Sequence, residues 1–591
     1  MRNSQGTLRG TRFASLPHQN SLLWAAPELD DILTKKVCNL LSNAQWKRPF
    51  ISALPRLETS AWTKPIPLHR AVLGCAVVYL ICLLPLFIVE IPPLQDYHFH
   101  VARIYILNHW HDTPALQKYY KITSFLLPNV GMDVIALLFA KLMPLEAAGK
   151  AFISLTLGLQ LTGCMALYRS VHGHYGLWPL VAGIFLFNWI FIFGFLNYLF
   201  GVGLLMWAVA IWISLGSSVI WLRISLGSAL STCLFFCHMV TVGLFAVIVG
   251  AYEIQRSAGM VQELPKMAFR NLATGASIFL PPICLFLISA TADEAHETIS
   301  YTSFLWKPAI FVRALLSANW IADAATVVIV AAFLTILFLR GRLTLARPMR
   351  LPIALLIITF LAMPHVLFSA WGVDSRIPLV IVLLLVGSSQ PVFGGRAWDR
   401  LVEIMLIGLL IFRSVIFSYD WYASSRILEE FRIAFHKLPA NSVLFDASEA
   451  PLPSFQDIKL GLWHPPLPHA AALAAWDGRV FVPQIYAEHG QQPITITSHY
   501  AALYRLQNHG PTEVSSAGAL DSVVTRIHEV LQGARWTGPV FLLLLYPERL
   551  NLPIPERASV VASGTHFLLI ALDAPSAAAY GFQSLADSVR N

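Results

Sequence analysis

An α-helical polytopic membrane protein with a C-terminal soluble α/β domain is the fold class this sequence predicts, and three observations predict it. Of its 591 residues 56% are hydrophobic and 13% charged, with a mean hydropathy of +0.62, a balance that ordinary soluble chains do not show. Apolar stretches of about 18 or more residues, each long enough to cross a bilayer core, recur between residues 71 and 419. After Ser418 the composition changes, and short strand-like and helix-like segments replace the apolar runs.

Residues 1–70 form the first segment, a basic arm. It holds ten Lys/Arg against Glu28, Asp30, Asp31 and Glu58, leaving +6 of the chain's formal +8. Positive charge beside a first transmembrane helix marks the cytoplasmic side, so no nucleic-acid partner is needed to explain it. Leu33, Val37 and Leu41 recur at helical spacing beside Lys35 and Lys36, the pattern of a short interfacial helix. No apolar core long enough for a signal peptide precedes residue 71. Of the seven cysteines only Cys38 lies outside an apolar segment and none follows Cys284, which argues against a disulfide framework.

The membrane body is expected over 71–419. Its first span runs over 71–89, with Lys64 and Arg70 before it and Glu90 and Asp96 after it. The loop 90–129 is then extracytoplasmic, and its aromatic and polar content fits two helices lying along the membrane. Further spans are expected at 130–143, 147–168, 177–193, 196–215, 226–253, 271–291, 323–340, 351–371, 376–391 and 401–419, about 11 in all. Under this count the basic connections 256–270, 340–350 and 396–400 fall on the cytoplasmic side, and Lys141 and Lys150 flank another inside turn. The parity places the last domain, 420–591, outside. It reads as helix over 422–436 and 520–532 and strand over 442–445, 480–483, 540–545 and 566–571. It contains no glycine-rich phosphate loop, no Gly-x-Ser-x-Gly and no spaced Cys/His set, so it is taken as a structural or substrate-guiding domain in which His464 and His469 have no catalytic part.

Polar residues within apolar spans require a reason. Asn188 and Asn197 flank Gly194 and are expected to satisfy backbone groups of a sharp turn; His238 reads as a satisfied packing residue. Asp374 and Arg376 lie in an outward turn after His365, where they either pair with each other or face the first loop as functional groups. Glu294, Glu297 and Lys307 add charge to an outward segment anchored by Tyr301, Phe304 and Trp306.

The stretch with most chemistry is Gln95-Asp96-Tyr97-His98-Phe99-His100-Val101-Ala102-Arg103. On a helix Asp96, His100 and Arg103 share one face, giving a base, a donor and a cation at the membrane surface. The bland alternative is that Asp96 caps the helix and the others are interfacial. In this segment the sequence resembles the GT-C class of integral-membrane glycosyltransferases, which includes protein O-mannosyltransferases, the oligosaccharyltransferase catalytic subunit and bacterial aminoarabinose transferases. The closer likeness is to uncharacterised bacterial inner-membrane proteins of that type, through Pro128-Asn129 with Asp133, Gly194-Phe195-Leu196-Asn197-Tyr198 and Asp374-Ser375-Arg376.

The resemblance implies a GT-C-like fold in a bacterial inner membrane, a polyprenyl-phosphate-linked sugar as donor, and a glycan, lipid or protein acceptor on the extracytoplasmic face. It makes Asp96 the catalytic residue; His100, Arg103 and Arg376 become donor-phosphate ligands, with Asn129, Asp133 and Asp374 in support. The acid is followed by Tyr97 instead of a second acid, and no Asp-x-Asp pattern is present, so no metal ligand is assigned and no cofactor is identified, with a divalent metal left as an open alternative. Displacement at an anomeric carbon needs a base for the acceptor hydroxyl and positive charge on the departing phosphate, which are the properties of these side chains. Three other readings fit a polytopic chain: a non-catalytic subunit of an envelope-polysaccharide assembly system, a transporter, and a membrane acyltransferase or phosphotransferase of the same gross plan. Polar residues clustered at one membrane face favour the enzyme; the transporter would place them at mid-membrane.

Overall fold

The computed structural model describes residues 62–258, 264–293, 299–317, 319–367, 370–393, 395–449, 467–476, 479–507, 510–556 and 558–572. The arm expected over 1–70 lies almost wholly outside the described residues, as do Cys38, Glu294, Glu297 and His464. Among the described residues eight helices are long and apolar enough to cross a membrane.

Helix α1 (Leu68–Phe87) leads to the loop that carries α2 (Tyr97–His109) and α3 (Pro114–Tyr119). The short apolar α4 (Gly131–Ala140) and the long α5 (Leu145–His172) follow. A broken pass comes next, a 3-10 stretch Trp178–Phe185 and one turn of helix, α6 (Trp189–Ile192). Helices α7 (Leu196–Ser214), α8 (Ile220–Cys237), α9 (Met239–Ala258), α10 (Pro265–Ser277) and α11 (Leu280–Ile288) continue the body. The short α12 (Lys307–Arg313) precedes α13 (Trp320–Arg340), α14 (Arg350–Ala362), α15 (Val373–Ser388) and the 41-residue α16 (Arg396–His436). The change of composition at 420 falls inside α16, which runs unbroken from the apolar body into the C-terminal domain.

Two departures from the expected spans have physical causes. The single span read over 226–253 divides at His238, whose extended backbone (φ −173°, ψ 132°) ends α8 and starts α9. The segment 130–143 does not cross. Lys150 Nζ donates to the Val89 carbonyl at 2.7 Å and Glu146 accepts from Arg432 at 2.9 Å, so the start of α5 lies level with the end of α1. The turn carrying Lys141 and Lys150 is therefore on the same side as the 90–129 loop, opposite to the side read from its lysines. One crossing is removed and one added, which leaves the parity of the expected count unchanged.

The body consequently has two distinct ends. One gathers Glu90, Asp96, Asn129, Gly194, His238 and Arg376. The other joins Gln255 and Arg256 to the Arg347 and Gly216 carbonyls and pairs 341–345 with 389–393 as an antiparallel ribbon, bringing Arg256, Arg342, Arg347 and Arg350 together. The buried Glu253, paired with Arg223 at 2.6 Å and bonded by the Trp212 indole, closes that end.

The C-terminal domain is a mixed sheet beside two helices. Strands β2 (Ser442–Ser448), β3 (Val480–Phe481), β5 (Thr512–Glu513), β6 (Val540–Leu545), β7 (Ala558–Gly564) and β8 (Phe567–Leu572) form it in the order β7-β8-β6-β2-β3, with β5 also on β2. Strand β2 is parallel to β6, β3 and β5, and is buried along all seven residues, as a central strand covered on both faces must be. Helices α17 (Ala501–Gln507) and α18 (Ala517–Gly533) complete it; the Ser516 hydroxyl caps α18. The expected strands and the helix over 520–532 are all present within a few residues. The first loop is sewn to this domain by β1 (Tyr120–Ile122), antiparallel to β4 (Ile494–Ile496).

Candidate active site

Helix α2 is the centre of the site, and it is not the interfacial helix expected. Its side chains from Tyr97 to Ile104, with Ile106 and Leu107, are buried, because α4, α5 and the C-terminal segment Leu467–Ala475 enclose it. Asp96 stands immediately before it, 15% exposed at the side chain. Its carboxylate makes no capping bond to the first turn, which removes the bland reading of this residue.

The backbone of Asp96 is fixed by the turn 188–197. Gln95 and Asp96 N–H groups donate to the Ile192 and Phe193 carbonyls at 3.1 and 3.0 Å. Gly194 (φ +82°) then passes so close that a Cβ there would stand 2.9 Å from the Asp96 amide nitrogen. Asn188 holds this turn in the role expected for it, while Asn197 bonds the backbone that leads into α4. Asn188 Oδ1 accepts from the Phe191 N–H, and Asn197 accepts from the Met132 N–H at 2.5 Å while donating to the Asn129 carbonyl at 2.8 Å. Asn129, in the left-handed region (φ +71°), thus contributes backbone geometry that leads the chain into α4.

Arg103 has a partner of its own. Its Nε and Nη2 donate to both carboxylate oxygens of the buried Asp133, at 2.5 and 3.1 Å, and Nη2 also donates to His100 Nδ1 at 2.8 Å. This bidentate pair locks α2 to α4. The guanidinium expected to clamp a phosphate is thus paired internally, with Asp133 as the other half. His100 accepts from that cation and is buried; burial first, and Arg103 second, hold its imidazole well below its ordinary range, hence neutral.

Arg376 is the contrasting cation. Its side chain comes from the first turn of α15 and sits over the Phe195 ring at 4.7 Å, with Nη1 2.9 Å from His238 Nε2 and Nη2 donating to the Trp371 carbonyl at 3.1 Å. Its Nε is buried with no hydrogen-bond partner, and among the described residues no carboxylate lies within ion-pair distance of it. The Asp96 carboxylate acts on it electrostatically. Asp374 does not pair with Arg376. It binds Lys307 Nζ and His365 Nδ1, both at 2.8 Å, and so ties α12 to α15. His238, read as packing, is instead the neighbour of Arg376 at the break between α8 and α9. Trp189, Phe193 and Trp371 form an aromatic wall beside these groups, with centroids 3.9 to 5.7 Å apart.

The C-terminal domain supplies the residue that sequence reasoning sets aside. His469 stacks on Phe99 at 4.1 Å and brings Nδ1 to 3.1 Å from Asp96 Oδ1, though off the direction of a formed hydrogen bond. Tyr486 packs edge-on against Phe99 at 4.8 Å, and the Trp476 indole donates to the His98 carbonyl at 3.4 Å. His98 is wholly buried with neither ring nitrogen bonded, and burial, with His469 adding, pushes it down to about 3. Nothing local to 467–475, an alanine-rich run, marks His469 in the sequence. Among the described residues no cluster of three or more His, Cys, Asp or Glu side chains is arranged to hold a metal ion.

No family model matches the sequence, and no curated protein matches it. Solved structures are similar to it at low identity. ArnT from Cupriavidus metallidurans bound to undecaprenyl phosphate is 10% identical with a TM-score of 0.47, over 86% of this chain and 98% of that one. The apo state of the same protein is 12% identical, also at 0.47, over 85% and 98%. The arabinofuranosyltransferase AftD from Mycobacteria is 13% identical at 0.45, covering 88% of this chain and 41% of that one.

Proposed function

We propose that this protein is a membrane glycosyltransferase of the GT-C class that moves a sugar from a polyprenyl-phosphate-linked donor to an acceptor hydroxyl. The assignment rests on the site. One observation carries it: a partly exposed carboxylate with no capping bond, Asp96, shares an electrostatic neighbourhood with a buried guanidinium, Arg376, that has no carboxylate of its own among the described residues. Burying a cation without a counter-charge costs free energy that a bound phosphate would offset. In this reading Asp96 accepts the proton of the acceptor hydroxyl as its oxygen attacks the anomeric carbon. The bond from that carbon to the phosphate oxygen breaks, and the phosphate leaves with the electron pair against Arg376. The aromatic wall of Trp189, Phe193 and Trp371 offers faces for the sugar or the first prenyl units. The orientation we propose puts the basic end in the cytoplasm of a bacterial cell and Asp96 with the C-terminal domain outside the inner membrane; the clustering of Arg256, Arg342, Arg347 and Arg350 at the far end supports it.

The test uses purified protein with a panel of synthetic polyprenyl-phosphoryl hexoses and pentoses and lipid or glycan acceptors. Asp96→Asn should lower kcat by roughly 10² to 10⁴ while leaving undecaprenyl phosphate binding intact. Arg376→Ala should weaken that binding by the ~1.5 to 3 kcal/mol of a charge-assisted bond, about 10- to 150-fold in Kd. Full turnover in a folded Asp96→Asn variant would end the assignment of Asp96 as base, and no turnover by the wild-type protein across the panel would leave an assembly subunit as the better reading.

A further inference from the structure

We propose that His469, delivered by the C-terminal domain, is a positioning residue for Asp96: its Nδ1–H holds one carboxylate oxygen, Oδ1, so that the other is presented to the acceptor hydroxyl. The inference rests on the transferase reading for its readout. Three observations place it. Nδ1 is 3.1 Å from Asp96 Oδ1, and a small rotation of the ring turns that contact into a hydrogen bond. The ring is 7% exposed at the side chain and clamped between Phe99 at 4.1 Å and Tyr486 at 6.0 Å, so its plane is set by packing. The other side chains around Asp96 cannot do this. His100 is bonded to Arg103, which is bonded to Asp133, and Arg376 is directed at His238 and the Trp371 carbonyl.

The chemistry constrains the tautomer. A carboxylate that must take a proton on one oxygen is best held by a donor on the other. A neutral imidazole with its proton on Nδ1 supplies one without a full positive charge that would reduce the basicity of Asp96. No proton crosses to His469 in the transfer step. The acceptor proton goes to Asp96, and His469 keeps its own. The domain boundary therefore runs through the site, and a body without the C-terminal domain would hold Asp96 with one face undirected.

Four variants separate this role from packing. His469→Ala and His469→Phe should both lower kcat by roughly 10- to 100-fold, the range expected when a reacting group is misplaced by up to about an ångström. His469→Phe keeps the stack on Phe99 and loses the donor. His469→Asn puts an amide N–H near the Nδ1 position and should recover most of the loss. Dissociation constants for undecaprenyl phosphate should stay within about twofold throughout. In an Asp96→Asn background, His469→Ala should add no further loss, since it acts through that carboxylate. Retained turnover in the Phe variant together with loss in the Asn variant would make the ring a packing element. Wild-type turnover in the Ala variant, or a full additional loss in the Asp96→Asn background, would overturn the inference while leaving Asp96 as base. An active Asp96→Asn single variant would remove Asp96 as base and this inference with it, whereas no turnover by the wild-type protein would remove the transferase reading itself.

Discussion

Gly194→Ala tests whether the position of Asp96 is what the turn 188–197 exists to set. Two costs follow from the geometry. Holding alanine at φ +82° costs about 1 to 2 kcal/mol relative to glycine. Its Cβ would also stand 2.9 Å from the Asp96 amide nitrogen, 3.2 Å from the Asp96 Cβ and 3.2 Å from the Tyr97 nitrogen. Ordinary contacts begin near 3.4 Å, and two of these three atoms are backbone, so Asp96 must retreat by roughly 0.5 Å. If a displacement of about 1 Å costs on the order of 10² in rate, half of it should cost roughly tenfold in kcat. Gly173 provides the control. It closes α5 at φ +80°, and a methyl group added there would meet no atom within 4 Å, so Gly173→Ala bears the same conformational cost with no clash and lies at the end remote from the site. Melting temperatures in detergent should fall in both variants and further in Gly194→Ala, and turnover should fall only in Gly194→Ala. Equal kcat in the two variants would refute the claim that the turn positions the base.

Two further outcomes are expected. Arg103→Ala leaves Asp133 buried without its bidentate partner and should cost about 3 to 5 kcal/mol, while the double change Arg103→Met with Asp133→Leu should recover most of it; thermal unfolding of the purified variants measures both. The buried neutral His98 and His100 have folded-state values below their unfolded ones, so unfolding takes up protons between them. Stability should fall as pH drops from about 6.5 toward about 3, by up to about 1.4 kcal/mol per pH unit for His98, and His98→Leu should flatten that slope.

The membrane body is legible because burial in lipid and in protein both demand long apolar runs, and the strands at 442–448 and 540–545 because a central parallel strand is apolar throughout. What misleads is charge near a short helix. Lys141 and Lys150 carry the inside signature, yet a 10-residue helix rises only about 15 Å and cannot cross, and Lys150 is used to bond the Val89 carbonyl. His238 reads as mid-span for a related reason: nothing in an unbroken apolar sequence announces that one residue turns extended and splits a helix in two.

Within the site, the residues that sequence reasoning finds are those whose partners are near in the chain or whose type is costly to bury. Asp96, His100, Arg103 and Asp133 are near one another in sequence, the first at the head of α2, the next two on it and the last on α4. Their division into the proposed base and a locked ion pair is not readable, because i, i+4, i+7 spacing states that side chains share a face and not which of them already has a counter-charge. Arg376 stands out with Asp374 as its simplest partner; Lys307, 67 residues away from Asp374 in sequence, takes that carboxylate and leaves the guanidinium to the site. His469 requires a contact across most of the chain, and its own surroundings are alanines. The same fact bears on its role. A histidine set in a small-residue helix, with its ring stacked on α2 and its nitrogen beside a carboxylate that caps nothing, fills its place by reaching a distant segment. That places a side chain of the C-terminal domain beside Asp96, so the division between membrane body and C-terminal domain is one of sequence order and not of the candidate site.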